Sequence, residues 1–507
     1  MPKKINWFNV TIILILAQLV TIGAVSGWLV IRFPVFSFFG VPISILVLLF
    51  LVKKDEASVY KITWIIIILA VPPLGGIIYL MIGNKRAIRR ISAHVREHAL
   101  IAKLLDSDGN LPFVNQVQCG RMFSLLRYIR QASSYHAYKN TGAKYYTFGE
   151  LMFADMVDEL SKAEKFIFME FFIIKSGKMW DKLLEVLEKK ASEGVEVRLI
   201  VDGMGSSQLF SKAYIKELRA RNIKVLRFNP MVPFLLFFMN NRDHRKILVI
   251  DGKTAFTGGM NISDEYINIK KRFGVWKDTG VMLKGDAVWS FTLMFIEMWD
   301  TFCRSEERIT DHLAYRDEET DAAIGDGFIV PYGDTPLDNE QLGENIYVDI
   351  LDQAQRYVYI STPYLIISEK MIHALKMAAK RGVDVCITTP GIPDKKVIFR
   401  LTRSYYRYLL EAGVKIFEYT PGFLHAKTMV SDDEVAVVGT INLDYRSLYL
   451  HFECATLLYN SSTVAEVRDD ALDVISQSRQ FLPAEDKKRR IWGEIIDSIL
   501  HLFAPLM

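Results

Sequence analysis

The sequence after the first hundred residues repeats one strand–helix–strand pattern twice, and this repeat limits the fold more than any other feature. Residues 163–200 contain a short apolar strand, a helical pattern that stops at Gly194, and a second apolar strand. Residues 354–389 follow the same plan and have the helix stop at Gly382. Glycine is favoured just after a helix because it adopts the left-handed conformation there without strain. Alternating strands and helices predict α/β sheets that are covered by helices.

A further strand signal follows each copy, beginning at Ile223 in the first and at Val414 in the second. Two copies of one α/β unit predict two lobes that are related by pseudo-twofold symmetry. The alternative is a pair of generic α/β domains with a similar rhythm, and the polar motifs decide between the two. The length of 507 residues is too great for one compact core and agrees with two domains plus an appendage.

Each half carries three polar residues with the spacing His-x-Lys-x4-Asp. The two sets are His244, Lys246 and Asp251 in the first half, and His425, Lys427 and Asp432 in the second. A glycine-containing segment follows each set and ends in an asparagine, Asn261 in the first half and Asn442 in the second. The same motif at equivalent positions of a repeat argues against two unrelated domains.

The spacing within the motif places the histidine and the lysine on one face of a strand, so that both side chains point into one cleft. The aspartate lies beyond the strand, near the turn into the next one. There its carboxylate either orients a histidine through an imidazole N–H bond or anchors the turn by accepting backbone N–H groups. The spacing leaves both roles open.

Two histidines and two lysines from related halves predict a site for a phosphodiester at the pseudo-twofold axis. Lysine and asparagine N–H groups would bind the non-bridging oxygens. One imidazole would attack phosphorus, and the other, protonated, would deliver a proton to the leaving oxygen. No carboxylate cluster with magnesium spacing accompanies the motif, so we predict neither a metal nor another cofactor. The near symmetry of the halves leaves open which histidine attacks.

The duplicated motif resembles the HKD signature of the phospholipase D superfamily, and the sequence around it is similar to bacterial cardiolipin synthases over nearly the whole chain. The similar segments are 64–83, 242–252, 256–266, 276–280, 439–447, Phe452-Glu453 and the closing Ala-Pro-Leu-Met. Two positions depart from the family pattern. Thr440 stands where the superfamily often has serine, and His451 replaces a polar residue that is usual before Phe-Glu.

The resemblance implies two phospholipase D-like α/β lobes and a phosphatidyl transfer reaction. One phosphatidylglycerol would donate its phosphatidyl group to an enzyme histidine and release glycerol, and a second would accept that group to give cardiolipin. His244 would be the nucleophile and His425 the general acid and base. The resemblance also implies supporting roles: Lys246, Lys427, Asn261 and Asn442 would hold the phosphate, Asp251 and Asp432 would support their lobes, and Glu453 would support the site.

The N-terminal part of the chain contains three apolar stretches, 7–31, 33–52 and 62–82. Each approaches or exceeds the roughly 20 residues that a helix needs to cross the hydrocarbon core. The second stretch is short and contains two prolines, so a re-entrant segment is an alternative, and both two and three spans remain open. No small-residue cleavage site follows the first stretch, which argues against a signal peptide.

Basic residues cluster after the third stretch, between Lys85 and Arg96. They predict a multi-pass cell-membrane protein whose catalytic part is cytoplasmic, although lysines before that stretch point the other way. The predicted parts of the chain are a transmembrane segment (1–83), a basic juxtamembrane linker (84–140), a first lobe (141–325), a second lobe (326–485) and a C-terminal amphipathic helix (486–507).

Charge and cysteine content limit the classes of partner. The net charge of +4 is too weak to predict nucleic-acid binding, and the four scattered cysteines have neither zinc nor disulfide spacing. The expected partners are the two lipids and the bilayer, and the oligomeric state stays open. The competing functions are another phospholipase D-type phosphatidyltransferase, a phospholipid hydrolase, a nuclease and an inactive membrane scaffold. The intact motifs argue against the scaffold.

Overall fold

The computed structural model describes residues 34–54, 58–70, 74–80, 120–133, 135–230, 241–303, 325–338, 340–482 and 491–504, together with Tyr315 and a few single positions between 17 and 32. The predicted basic cluster at 85–96 and most of the apolar stretch 7–31 lie outside the described residues.

Three helices form a small N-terminal unit: α1 (Pro34–Lys53), α2 (Ser58–Ala70) and α3 (Leu74–Ile78). They share a buried apolar cluster that includes Leu51, Trp64 and Tyr79. Among the residues that the structure describes, we find no helix with both the length and the apolarity of a membrane span. The predicted transmembrane helices are therefore not confirmed and stay a prediction.

The described residues of the first lobe contain nine strands. They are β1 (Thr141–Tyr146), β2 (Phe166–Phe171), β3 (Glu196–Asp202), β4 (Ile223–Phe228), β5 (Arg242–Asp243), β6 (Lys246–Ile250), β7 (Thr254–Gly258), β8 (Val275–Lys277) and β9 (Gly280–Gly285). A short 3-10 turn at Gly120–Met122 and helix α4 (Phe123–Ala132) come before this lobe in the chain but pack in the core of the second lobe, through Leu125, Leu126 and Ile129. The helices of the first lobe are α5 (Gly149–Ser161), α6 (Lys178–Ser192), α7 (Lys212–Ala220) and α8 (Val288–Cys303). Seven strands form one sheet in the order β1-β9-β7-β6-β2-β3-β4.

In the part of the second lobe that the structure describes, there are eleven strands. They are β10 (Phe328–Asp334), β11 (Tyr357–Ser361), β12 (Leu365–Ile366), β13 (Asp384–Pro390), β14 (Lys415–Tyr419), β15 (Gly422–Leu424), β16 (Thr428–Ser431), β17 (Val435–Gly439), β18 (Leu443–Asp444), β19 (His451–Tyr459) and β20 (Ser478–Phe481). Its helices are α9 (Leu342–Gln353), α10 (Glu369–Lys380), α11 (Lys396–Leu410), α12 (Tyr445–Tyr449), α13 (Thr463–Ser476) and α14 (Ile491–Phe503). The sheet order is β10-β19-β17-β16-β11-β13-β14-β20.

The strand orders confirm the predicted repeat. The path β1-β9-β7-β6-β2-β3-β4 of the first sheet corresponds strand by strand to β10-β19-β17-β16-β11-β13-β14 of the second. The second sheet adds β20 at its edge and β5 beside β19. The two helix stops are confirmed as well, because Gly194 and Gly382 have φ angles of 94° and 91°. A side chain at such an angle is strained, so glycine ends both helices at this point.

The two sheets face each other across one shared hydrophobic layer. Phe168 and Val249 of the first sheet, Val430 and Leu458 of the second, and Phe295 of α8 belong to the same buried cluster. The opposite face of each sheet packs on its own helices in a separate cluster. Each central strand is therefore buried on both faces, as is usual for sheets that are covered on two sides.

The lobes also exchange short strands near the shared layer. Strand β5 of the first lobe pairs in parallel with the start of β19, and β15 of the second lobe pairs in parallel with β8. The backbone N–H of His244 donates to the carbonyl of Phe452 (2.9 Å), and that of His425 donates to the carbonyl of Lys277 (2.7 Å). Each motif histidine is thus fixed by the backbone of the other lobe.

Candidate active site

Both motif histidines lie just outside the central strands. His244 precedes β6, which begins at Lys246, and His425 and Lys427 both precede β16. The prediction that each histidine and lysine share one strand is therefore wrong. The physical reason is that the backbone at the two histidines pairs with the other lobe instead of continuing its own sheet.

Each histidine contacts a carboxylate from the opposite lobe. The Nδ1 atom of His244 lies 2.9 Å from both carboxylate oxygens of Glu453. The Nδ1 atom of His425 lies 2.6 Å from Oδ2 of Asp278. Both carboxylates are completely buried. A carboxylate on Nδ1 fixes the imidazole tautomer and leaves Nε2 available for chemistry.

The sequence reasoning assigned no role to Asp278. The register of the sheets shows the equivalence, because Gly280 pairs with Gly258 at the end of β7 and Ala455 pairs with Gly439 at the end of β17. Asp278 and Glu453 each lie two residues before these paired positions. The sequence alone does not align the two carboxylates, because Asp278 follows Asn261 at a longer spacing than Glu453 follows Asn442.

The motif lysines lie next to the histidines and are buried. Lys246 and Lys427 are each 1% exposed. The Nζ atom of Lys246 donates to the carbonyl oxygen of His244 (2.5 Å), and that of Lys427 donates to the carbonyl oxygen of His425. The Nζ atom of Lys427 also lies 2.8 Å from Nδ1 of His425. An ammonium group has three donors, so each lysine keeps donor capacity for a bound anion.

Burial lowers the pKa values of all four groups. Burial lowers the pKa of His244 well below 6.5, and the neighbouring lysines lower it further. Burial and the Lys427 ammonium lower the pKa of His425 to about 4, against the opposing effect of Asp278. Burial lowers the pKa of Lys246 to about 8 and that of Lys427 to about 7. The lowered pKa values favour the neutral form of both imidazoles, which is the state that a nucleophile needs. A bound anion would raise the pKa of the histidine that acts as the acid.

The motif aspartates bind backbone N–H groups, which decides between the two roles that the spacing left open. Asp251 accepts hydrogen bonds from the N–H groups of residues 164, 165 and 166 at 2.7–2.8 Å. Asp432 accepts from those of residues 355, 356 and 357 at 2.8–3.0 Å and from Arg121 at 2.8 Å. These carboxylates anchor the starts of β2 and β11, and the histidines take their carboxylate partners elsewhere.

The asparagines lie beside the histidines in equivalent settings. The Nδ2 atom of Asn261 donates to the hydroxyl of Tyr266 (2.7 Å), and that of Asn442 donates to the hydroxyl of Ser447 (3.1 Å). A side-chain amide carries two N–H donors, so each residue keeps one for a ligand.

Both histidines and both asparagines line one cavity of about 690 Å³. Aromatic side chains cover the part near His425, with the rings of Tyr266 and Trp276 at 5.4 Å and 5.5 Å from its imidazole. Ala504, at the end of α14, contributes to the wall. The volume is that of a pocket for a small molecule or a lipid headgroup.

Three potential metal ligands lie on one side of the cavity. His244, His451 and Glu453 each offer one ligand atom, and these three atoms lie within 4.8 Å of one another. Imidazole nitrogens are ligands that suit zinc or copper. A nitrogen that coordinates a metal has no lone pair for attack on phosphorus, so metal binding through the attacking nitrogen of His244 would exclude its role as nucleophile.

The fold and the site together define a bilobal phospholipase D-like protein with one histidine from each lobe. Among solved structures, the phosphatidylserine synthase of Haemophilus influenzae Rd KW20 has a similar fold, with a TM-score of 0.53 at 14% identity. The match covers 72% of this chain and 93% of that one.

Sequence comparisons define the family more closely. A family model described as cardiolipin synthase, phospholipase D-like domain, matches residues 156–278 and 347–473, and a phospholipase D-nuclease N-terminal model matches residues 43–84. A cardiolipin synthase of Alkalihalophilus pseudofirmus is 32% identical over 100% of both chains. A Streptococcus mutans protein described as uncharacterized is 45% identical over 90% of this chain and 99% of its own. The chain therefore belongs to the cardiolipin synthase family of the phospholipase D superfamily.

Proposed function

We propose that this chain is a membrane-attached phosphatidyltransferase that converts two phosphatidylglycerol molecules into cardiolipin and glycerol. One observation carries the proposal: two histidines, each held by a carboxylate of the opposite lobe, line one cavity together with two asparagines. Phosphorus chemistry through a covalent intermediate needs one nucleophile and one proton donor within the same site.

In the first half-reaction, Nε2 of His244 attacks the phosphorus of one phosphatidylglycerol. The bond between phosphorus and the headgroup glycerol oxygen breaks, and the imidazolium of His425 donates its proton to that oxygen. Glycerol leaves, and a phosphatidyl group stays on His244 through a P–N bond. Lys246, Lys427 and the free amide donors of the asparagines stabilise the charge on the non-bridging oxygens.

In the second half-reaction, the terminal hydroxyl of a second phosphatidylglycerol attacks the phosphohistidine. His425, now neutral, takes the hydroxyl proton, and the P–N bond breaks to release cardiolipin and a neutral His244. Glu453 and Asp278 hold the two imidazole tautomers and stabilise the positive charge that forms on each ring in turn. The aromatic wall near His425 limits access of water, which would give phosphatidic acid instead.

The membrane attachment and the division of the chain are part of the same proposal. The N-terminal model match at residues 43–84 supports a separate segment before the lobes. The hydroxyl of Thr63 on α2 donates to the carbonyl of Leu502 on α14 (2.8 Å), so this segment contacts the C-terminal helix. We propose residues 1–83 as a multi-pass membrane segment, 84–140 as a linker, 141–325 and 326–485 as the lobes, and 486–507 as the C-terminal helix, with a cytoplasmic site.

The test is incubation of the purified full chain with phosphatidylglycerol vesicles, followed by separation of the lipids and assay of free glycerol. Cardiolipin and glycerol should form in equal amounts and with EDTA present, because the proposed chemistry needs no metal. The His425→Ala protein is the matched control and should give neither product. Phosphatidic acid without cardiolipin would identify a hydrolase, and unchanged lipid would contradict the proposal.

A further inference from the structure

The two lobes present opposite charges at one pair of equivalent cavity positions. Four residues after the asparagine, the first lobe has Glu265 and the second has Arg446, and both side chains line the cavity. Glu265 has cationic neighbours, since its carboxylate lies 3.4 Å from Lys270 and 4.0 Å from Lys175. The site is therefore symmetric in its motif residues and asymmetric in the charge around them.

Arg446 has no comparable partner. Its Nε atom is buried without a hydrogen bond, and within the described ranges no carboxylate lies at ion-pair distance from its guanidinium. Two other cations of the cavity are paired, Arg242 with Asp202 at 2.9 Å and Lys395 with Asp394 at 3.0 Å. Buried polar groups in native proteins have partners as a rule, so a group without one in a ligand cavity points to a ligand.

A second unsatisfied group lies on the same side of the cavity. Neither ring nitrogen of His451 forms a hydrogen bond with any residue that the structure describes, and its Nδ1 atom is 3.7 Å from Glu453. Its ring centroid is 5.6 Å from that of His244. The equivalent side of the first lobe carries Trp276 instead, whose ring packs near His425. The side next to His244 thus offers a cation and a polar ring to a ligand that is anionic and rich in hydroxyl groups.

We propose that Arg446 binds the phosphate of the acceptor phosphatidylglycerol while His451 hydrogen-bonds the hydroxyl of its glycerol. The inference rests on the proposed function and names the acceptor subsite for it. The acceptor is itself a phosphodiester, whereas competing acceptors such as water and free glycerol carry no phosphate. A guanidinium that forms charge-assisted hydrogen bonds with that second phosphate favours transfer to lipid over transfer to these small molecules.

The test compares two soluble acceptors that differ in one group. The full chain receives phosphatidylglycerol vesicles as donor and one of two radiolabelled acceptors, glycerol or glycerophosphoglycerol. Glycerophosphoglycerol keeps a free primary hydroxyl like that of glycerol and carries a phosphodiester at the other end of the same glycerol. The wild type should prefer glycerophosphoglycerol, and Arg446→Gln should lower the ratio of the two transfer rates by about ten- to a hundredfold, the range expected for hydrogen bonds to a charged group. Arg446→Lys should recover part of the ratio, because it keeps the charge without the planar donor pair.

The matched control is Arg272→Gln, which removes an exposed cation of the same cavity that lies 4.9 Å from the ring of Phe273. The acceptor ratio should be unaffected by this change. An unaltered ratio in Arg446→Gln, or an equal fall in Arg272→Gln, would overturn the acceptor subsite.

A binding measurement separates this inference from the proposed function. Glycerophosphoglycerol should bind the full-length His244→Ala protein, which cannot form the intermediate, and binding should weaken at least about tenfold when Arg446→Gln is added. Equal affinities would contradict the subsite even if the protein makes cardiolipin. Weakened binding in a protein that makes no cardiolipin would refute the proposed reaction and leave the anion site standing.

Discussion

The two lobes share one topology and one motif, but they differ where the motif meets the substrate. The equivalent positions, first lobe before second, are Asp278 and Glu453, Gly259 and Thr440, Tyr266 and Ser447, Trp276 and His451, and Glu265 and Arg446. In the proposed reaction, the symmetric residues would surround the single phosphorus atom that reacts. The asymmetric residues would distinguish two chemically different groups, the leaving glycerol and the acceptor lipid. Under this proposal the symmetric residues perform the bond chemistry, and the asymmetric residues assign the roles of the two lobes.

The two lobes also differ in the groups that support the carboxylates Glu453 and Asp278. The hydroxyl of Thr440 donates to Glu453, the partner of His244. In the first lobe a Cβ atom on Gly259 would lie 2.0 Å from Oδ1 of Asp278, so no side chain fits there. The shorter aspartate is supported instead by the backbone N–H of Thr279 at 2.9 Å. The same function, a fixed carboxylate on Nδ1, is achieved by a side chain in one lobe and by backbone in the other.

The largest expected effect tests which lobe supplies the nucleophile. His244→Ala and His425→Ala should each lower cardiolipin formation by about 10³-fold or more, because nucleophile and acid act as a unit. A donor with a good leaving group, such as phosphatidyl-p-nitrophenol, needs no acid. His425→Ala should therefore still form a labelled covalent adduct with it in a single turnover, and His244→Ala should not. If the His244→Ala protein formed the adduct and the His425→Ala protein did not, His425 would be the nucleophile and His244 the acid.

Substitution of Glu453 and Asp278, the carboxylates that contact the histidine of the opposite lobe, should give the next largest effect. Glu453→Gln and Asp278→Asn keep the side-chain size and remove the charge that orients each imidazole. Each should lower kcat by about 10²-fold, the range seen when an orienting partner is removed. NMR spectra of the histidine rings should then report a changed tautomer for the histidine of the other lobe. A change confined to the lobe that carries the substitution would contradict the cross-lobe pairing.

The lysines should lose their protons at different pH values. Burial places the pKa of Lys427 at about 7 and that of Lys246 at about 8, so the cationic form of each is present below these values. Binding of dimethyl phosphate, an anion of constant charge, should weaken as pH rises from 6 to 9, by up to about tenfold per pH unit for each proton required. Lys427→Met should remove the component near pH 7. Titration calorimetry at several pH values measures the affinity for dimethyl phosphate. An affinity that does not change with pH would exclude a role for either lysine.

Loss of the hydrogen bond from Thr440 to Glu453 should have a smaller effect on kcat. Thr440→Ala removes the hydroxyl donor from the buried carboxylate and should lower kcat about tenfold, as expected for one hydrogen bond to a charged group. Thr440→Ser keeps the donor and should retain nearly full activity. Steady-state kinetics on phosphatidylglycerol vesicles distinguish the two. Equal loss in both variants would mean that the methyl group, and not the hydroxyl, supports the carboxylate.

Substitution of the motif aspartates should have the smallest effect on kcat per folded molecule. Asp251→Ala and Asp432→Ala each remove the acceptor of three backbone N–H groups and should lower the free energy of unfolding by about 2–4 kcal/mol. Burial alone would raise the pKa of Asp432, but these N–H groups and Arg121 bring it below its ordinary value. Its stabilisation is therefore present at neutral pH and is lost as the pH falls through the pKa of the folded state.

Chemical denaturation and kinetics on the folded fraction measure both quantities for the aspartate variants. A large loss of kcat with unchanged stability would restore the aspartates as catalytic residues.

The sequence by itself determined the repeat, the α/β class and the motif histidines. These follow from local signals, because hydropathy with strand and helix periods and a fixed spacing are written along neighbouring residues. The helix stops at Gly194 and Gly382 and the strands that begin at 223 and 415 lie where these signals place them.

Only the tertiary structure decided which groups the motif residues contact. Asp251 and Asp432 belong to the motif and yet bind backbone N–H groups of residues 166 and 356, which lie 85 and 76 residues away. His244 and His425 contact carboxylates 209 and 147 residues away. The charge difference between Glu265 and Arg446 is visible in the sequence, but its place beside one cavity is not. A side chain meets its partners where separate strands converge, and that convergence is set by sheet packing between lobes and not by any pattern along the chain.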